Sequence, residues 1–161
     1  MKTATPKCIG MKFIVAILDT MYDWRGQTSG AGLRQAPRYF RINPNNFTGK
    51  RLYDLIGPGN SLIVTDACKE LVTKPADHGI PDPKWLMENL TMLRSMRSID
   101  ILLVCGKVTQ KTWIEVKARP SIRTWYDPRM KEIIIPHPAA RAVWTREYIN
   151  EVKQRIRGEI K

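Results

Sequence analysis

Four short runs of apolar, mostly β-branched residues are separated by longer stretches in which apolar residues recur at helical spacing. Short apolar runs without polar alternation are typical of strands that are buried on both faces of a sheet. The chain therefore predicts four buried strands, over residues 13–18, 61–65, 101–105 and 132–135.

Helices are predicted between and after these strands. A short one lies near residues 51–56, a second is opened by Asp82 as its cap with Pro83 at the first helical position, a third follows Gly106, and the last begins near Thr145. Each of the longer helices has an apolar stripe and a polar face. The stripe residues are Leu86, Leu90 and Leu93 in the second helix and Ile149, Val152, Ile156 and Ile160 in the last.

The alternation of strands and helices predicts a three-layer α/β/α domain with a four-stranded, mainly parallel sheet. We expect residues 1–161 to form one domain, with residues 1–10 as a loose terminus. Ligands of such sheets bind beyond the carboxyl ends of the strands, so chemistry is sought there.

The charge indicates the kind of partner. The chain has 27 Lys and Arg residues against 15 Asp and Glu, a formal net charge of +12. Such a charge attracts polyanions and makes their binding sensitive to salt, which favours DNA or a nucleotide as the partner. A basic surface without a specific ligand, and a basic adaptor that binds another protein, are the alternatives.

The three cysteines, Cys8, Cys68 and Cys105, occur in unrelated contexts, so neither a disulfide framework nor a metal site is indicated, and we expect no cofactor. Cys68 and Cys105 are predicted to be buried thiols. No apolar run approaches the roughly 18 residues of a membrane span, and the first ten residues lack a secretory apolar stretch. We expect a cytosolic protein without a membrane partner; the sequence does not indicate an oligomeric state.

Polar residues follow every predicted strand. Asp19 and Asp23 follow the first, Asp66 ends the second, the Gly106-Lys107 turn follows the third, and His137 follows the fourth. Parallel pairing would bring all of them to one rim. Asp19 and Asp23 are equally compatible with turn or cap positions, and the Gly106 turn with a plain strand-to-helix connection.

His137 is one of two histidines and lies between Pro136 and Pro138. Prolines on both sides restrict the backbone, so the imidazole is held in a stiff loop. A rigid structural turn is the alternative to a functional site. Burial of an imidazole would require hydrogen-bond partners that the sequence does not supply, which favours function.

Taken in order, four segments of the chain resemble the uracil-DNA glycosylase superfamily. The segments are 48–55 (TGKRLYDL), 62–66 (LIVTD), 102–107 (LLVCGK) and 133–141 (IIIPHPAAR). They correspond to the family's glycine turn and short helix, its second strand, its third strand with a glycine turn, and its final strand with the His-Pro loop. The resemblance implies a DNA glycosylase that flips a base into a pocket and hydrolyses the N-glycosidic bond.

The resemblance also implies roles for particular residues. His137 would donate a hydrogen bond to the departing base, and Arg141 would occupy the position of the wedge that replaces the flipped base. Asp19, or Asp23 as second choice, would orient water. The family's Gly-Pro pattern after the first strand is missing here, which leaves open a non-catalytic member that binds or sequesters DNA or a nucleotide.

Base-binding positions follow from the same resemblance. Phe40 is the candidate for stacking on the base, and Tyr22 and Asn43 are assigned to the same group. Asp66 stands where most members have Asn. The expected contacts to nucleic acid are Lys50, Arg51, Lys107, Arg141 and Arg146.

The Asp at position 66 changes the expected base. An ionised carboxylate only accepts hydrogen bonds, so two acceptors would oppose each other at a uracil carbonyl, at a cost of about 1–3 kcal/mol or more. An acceptor matches an exocyclic amine. The sequence therefore favours a cytosine-type or other amino-bearing base over uracil.

Overall fold

A computed structural model describes residues 11–19, 35–71, 79–124 and 126–158. The strands in these ranges are β1 (Phe13–Leu18), β2 (Ser61–Asp66), β3 (Ile101–Cys105) and β4 (Lys131–Ile135). They form one sheet in the order β2-β1-β3-β4, and every neighbouring pair is parallel. The four predicted strands and their parallel pairing are confirmed, with one additional residue in β2 and in β4.

The helices are α1 (Phe47–Ile56), α2 (Pro83–Met96), α3 (Lys107–Lys117) and α4 (Arg146–Arg157), and a short 3₁₀ helix spans Pro120–Thr124. The predicted cap at Asp82 is confirmed, since its side chain accepts from the Trp85 backbone N–H at 3.1 Å. The predicted start near Thr145 is confirmed as well, and the Thr145 side chain caps this helix by accepting from the Tyr148 backbone N–H at 3.1 Å.

Two helix boundaries differ from the sequence-based expectation. Helix α1 begins four residues earlier than residue 51, because the Asn46 side chain caps it by accepting from the Gly49 backbone N–H at 2.6 Å. Helix α4 ends at Arg157, where Gly158 takes a left-handed conformation with φ +84°. Ile160, which was predicted to continue the apolar stripe, lies outside the described residues.

Helices cover both faces of the sheet. Helices α1 and α4 pack on the face that carries Ile14, Ala16 and Leu18, whereas α2 and α3 pack on the face that carries Val15 and Ile17. The central strand β1 is fully enclosed as a result. This arrangement confirms the three layers.

The segment before α1 runs along the outer edge of β2 in the antiparallel direction, which the sequence did not predict. Phe40 and Val64 exchange two backbone hydrogen bonds of 2.9 Å, and the Ala36 N–H donates to the Lys69 carbonyl at 2.7 Å. The segment thereby satisfies backbone groups that an exposed edge would leave open. It also fixes Phe40 beside the last residues of β2.

Gly49 has a packing role in α1. A Cβ at this position would lie 1.9 Å from the Asn43 carbonyl oxygen. Only glycine lets the loop of Asn43 approach the helix this closely. The glycine of the 48–55 segment is therefore required by the local backbone packing.

The interior of the protein contains cysteine and tryptophan side chains. Cys68 and Cys105 are buried as predicted, while Cys8 lies outside the described residues. Trp113 and Trp144 are buried, as core residues should be. Trp24 and Trp125 lie outside the described part of the chain. Within that part, the helices all fall short of the length and apolar character that crossing a membrane requires.

Candidate functional site

The carboxyl ends of the four parallel strands carry the polar residues that the sequence singled out. Asp19 follows β1, Asp66 ends β2, Gly106 follows β3 and His137 lies two residues beyond β4. Because all four strands point the same way, these residues share one rim of the sheet.

Asp66 is the most unusual of these residues. Its side chain has no exposed surface, and neither carboxyl oxygen has a hydrogen-bond partner among the described residues. Burial, together with the negative charge of Asp19, raises the pKa of Asp66 to about 7. A buried carboxyl with both oxygens unsatisfied is costly for the fold, and such costs are typical of functional sites.

Asp19 lies between the other two groups. Its backbone carbonyl accepts from the Cys68 N–H at 2.9 Å, and this bond extends the β1–β2 pairing past the strand ends. Its negative charge raises the pKa of Asp66 and also acts on His137. The Asp19 charge therefore acts on both Asp66 and His137, which share the rim with it.

His137 lies beside the Gly106 turn that follows the neighbouring strand β3. A Cβ at Gly106 would lie 3.7 Å from the His137 Cβ, and Gly106 has φ +92°, a conformation that favours glycine. Since β2 and β4 are three strand spacings apart in the sheet, the strand ends that carry Asp66 and His137 are separated by roughly 14 Å.

Hydrogen bonds fix the orientation and tautomer of His137. Its Nδ1 accepts from the Ala139 backbone N–H at 3.0 Å, and its carbonyl accepts from Ala140 at 2.9 Å and from the Trp144 indole at 3.0 Å. Burial lowers the pKa of His137, and the charge of Asp19 opposes this only in part. At neutral pH the ring is therefore uncharged, with its proton on Nε2 and available for donation.

No protein-family model matches this chain, and no curated protein matches it significantly.

Phe40 lies near Asp66. It is half-buried against the face of the sheet that α1 and α4 cover, beside Val64. Since side chains alternate along a strand, Val64 and Asp66 belong to the same face, and Phe40 adjoins the face that carries the buried carboxyl. Tyr22 and Asp23 lie outside the described residues.

Asn43 lies in the turn that precedes α1. It is exposed, and its side-chain oxygen accepts from the Asn45 backbone N–H at 2.8 Å, which closes a turn before α1. The structure thus gives this side chain a local turn contact.

The predicted contacts to nucleic acid differ in exposure. Four of them are exposed, and Arg51 is half-buried with its guanidinium 5.2 Å from the centre of the Trp144 ring. The exposed residues are Lys50, Lys107, Arg141 and Arg146.

Trp144 is a candidate positioning residue that the sequence analysis did not single out. Its indole N–H holds the carbonyl of His137, and its ring supports Arg51. Buried Trp residues usually find a partner for the N–H, so a Trp seven residues after a loop histidine was the available signal.

A buried polar network next to Asp66 was also missed. The Thr65 hydroxyl donates to the Arg38 carbonyl at 2.8 Å, and the Asn89 side-chain amide donates to the Thr65 hydroxyl at 3.3 Å. Arg38 in turn donates to Asn89 at 3.0 Å and packs over Trp85. This network fastens the edge segment to β2, and a polar Asn within the apolar stripe of α2 was its signal in the sequence.

Clustered metal ligands and cavities away from the rim are the other features that could form a site. The described residues contain no group of three potential metal ligands. A cavity of about 380 Å³ lies elsewhere, lined by Lys117, Ile122, Arg123 and Tyr126. It adjoins the end of α3 that is remote from Gly106, roughly 16 Å along the helix.

Proposed function

We propose that the protein binds an extrahelical nucleobase between Asp66 and His137 and, like the uracil-DNA glycosylases that its motifs resemble, hydrolyses the N-glycosidic bond. One observation carries the proposal. A fully buried carboxyl with unpartnered oxygens shares a rim with a neutral imidazole whose Nε2–H is free to donate. Paired polar groups of this kind match the edge of a heterocyclic base.

The proposed reaction uses the two groups that flank the glycosidic bond. The electron pair of the bond between C1′ and the base nitrogen leaves with the base, and His137 stabilises the developing charge by donating from Nε2 to a base oxygen. Asp19 stabilises the cationic sugar and orients the water that adds to C1′. The proton released by that water ends on the departing base or in solvent.

The raised pKa of Asp66 modifies the choice of base that the sequence suggested. That choice assumed an ionised carboxylate, whereas a pKa of about 7 makes the two protonation states comparable near neutrality. The protonated carboxyl has one donor and one acceptor and fits either a uracil-type or a cytosine-type edge, depending on which oxygen carries the proton. The ionised form fits an edge of two donors. The base preference is therefore expected to depend on pH.

Basic residues around the rim would deliver the nucleic acid. Extrusion of a base costs a few kcal/mol, and contacts to phosphates by exposed cations help to offset it. Arg141 follows the His137 loop, whose backbone is held by Trp144, and is exposed. This position suits a wedge that fills the space left by the flipped base.

A panel of oligonucleotides that each carry one modified or unmodified target base tests the proposal. After incubation, alkaline treatment breaks the strand wherever a base has been removed, and breakage at one class of base is the expected result. Retention that weakens with salt, without breakage, would instead select a non-catalytic binder of the same kind. Neither breakage nor base-dependent retention with any oligonucleotide would reject the proposed function.

A further inference from the structure

An exposed aromatic residue stands at the first position of α1. Phe47 follows the cap residue Asn46 and is 54% exposed. A single exposed aromatic is common on protein surfaces and carries no argument alone. The surroundings of this one distinguish it from the other exposed apolar side chains.

Phe47 forms one wall of a cavity of about 250 Å³ that Lys50, Arg51 and Asp54 complete. These four positions are spaced i, i+3, i+4 and i+7, so they lie on one face of α1. The volume is below the roughly 300–1,000 Å³ of sites for drug-sized ligands. The groove of these four residues therefore suits a single ring system with an attached charged group.

The groove carries net positive charge. Its acid, Asp54, is paired with Lys153 of α4 at 3.1 Å. Lys50 and Arg51 have no ion-pair partner within the described ranges, and the Nε of Arg51 is buried without a hydrogen bond there. Two uncompensated cations beside an aromatic face match a nucleotide, whose base stacks while its phosphate is neutralised.

The groove is coupled to the rim of the sheet through Trp144. Arg51 packs over the Trp144 ring, and the indole N–H of Trp144 donates to the His137 carbonyl. A strand whose base entered between Asp66 and His137 would pass close to this groove.

We propose that the groove of Phe47, Lys50, Arg51 and Asp54 is a second nucleotide subsite. It holds a nucleotide of the single strand that flanks the base in the main site, with the base stacked on Phe47 and the phosphate on Lys50 and Arg51. The subsite rests on the proposed function, because it takes its ligand from the same nucleic acid. The net charge of +12 favours a polyanion over an apolar protein surface as the occupant.

Binding of a short labelled single strand made only of unmodified bases, followed by fluorescence anisotropy, tests the subsite without requiring excision. Phe47→Ala and Phe47→Leu should each weaken binding about fivefold to tenfold, since both remove the stacking surface, whereas Phe47→Trp should retain the parent affinity. Lys50→Ala should reduce the salt slope by about one, and the Phe47 variants should leave that slope unchanged.

Ile114→Ala is the matched control, because Ile114 is 56% exposed and lies three residues from Lys111 and from Lys117 on α3. It should bind as the parent does. Equal affinity of Phe47→Ala and parent would overturn the subsite while leaving the main site intact. Full retention by Phe47→Leu would also overturn it, since an apolar contact would then suffice. If the parent protein binds no single-stranded oligonucleotide, the subsite is overturned. The main site is tested separately, because its failure would appear as a lack of base-dependent release or retention in the oligonucleotide panel.

Discussion

His137→Ala is expected to lower the single-turnover rate of base release by about 10²–10³-fold, the usual loss when one donor to a developing negative charge is removed. The affinity for the oligonucleotide should change little, because His137 is neutral and does not contact phosphate in the proposed mode. The Ala139 N–H that donates to Nδ1 fixes the ring with Nε2 as the donor. Rates under enzyme excess and dissociation constants should be measured with the same substrate.

Gln154→Ala, an exposed change on the outer side of α4, serves as the control and should match the parent in both measurements. Arg141→Ala should show the opposite pattern to His137→Ala, with weaker extrusion and binding and a smaller loss of chemistry. An unchanged rate in a folded His137→Ala protein would remove His137 from the mechanism.

We expect the base preference of the parent protein to change with pH, and we expect Asp66→Asn to abolish this change. With a pKa of about 7, the Asp66 carboxyl is about nine-tenths protonated at pH 6 and about one-tenth at pH 8. Between pH 6 and pH 8, release or retention of a uracil-type base by the parent protein should therefore fall about tenfold relative to the Asp66→Asn variant. The amide of the variant keeps one donor and one acceptor at both pH values. The ratio of the two profiles isolates Asp66, since both proteins retain His137.

The same variant should change stability with a definite sign. The folded-state pKa of Asp66 lies above its ordinary value of 3.8, so the folded protein binds the extra proton and loses stability as pH rises from about 4 to about 7. Asp66→Asn should lack this loss and have the higher melting temperature at pH 8. Glu115→Gln, an exposed change from acid to amide, should follow the parent. If the melting temperatures of Asp66→Asn and of the parent changed with pH in the same way, the raised pKa of Asp66 would be contradicted.

The sequence predicted the sheet well because its strands are short, apolar and buried on both faces, as Ile101–Cys105 illustrates. The cap at Asp82 and the helix start near Thr145 were equally predictable, since a side chain and the next turn of helix determine them. The edge segment at Phe40 was not, because it makes only isolated bridges to β2 and has no repeating pattern of its own.

For the site, the predicted parallel pairing placed the residues at the strand ends on one rim, so Asp19, Asp66 and His137 could be predicted to share it. The protonation behaviour of Asp66 could not be predicted, because it depends on complete burial and on the proximity of Asp19. The support of the His137 loop by Trp144 depends equally on a tertiary contact.

The central claim is that Asp66 and His137 hold the same base. A crystal structure of the protein with an oligonucleotide whose target base is joined to the sugar through carbon, and so cannot be released, tests it most directly. We expect the flipped base with its edge on the Asp66 carboxyl and one oxygen within hydrogen-bond distance of His137 Nε2. A nucleic acid bound elsewhere, or a flipped base that contacts neither residue, would contradict the claim.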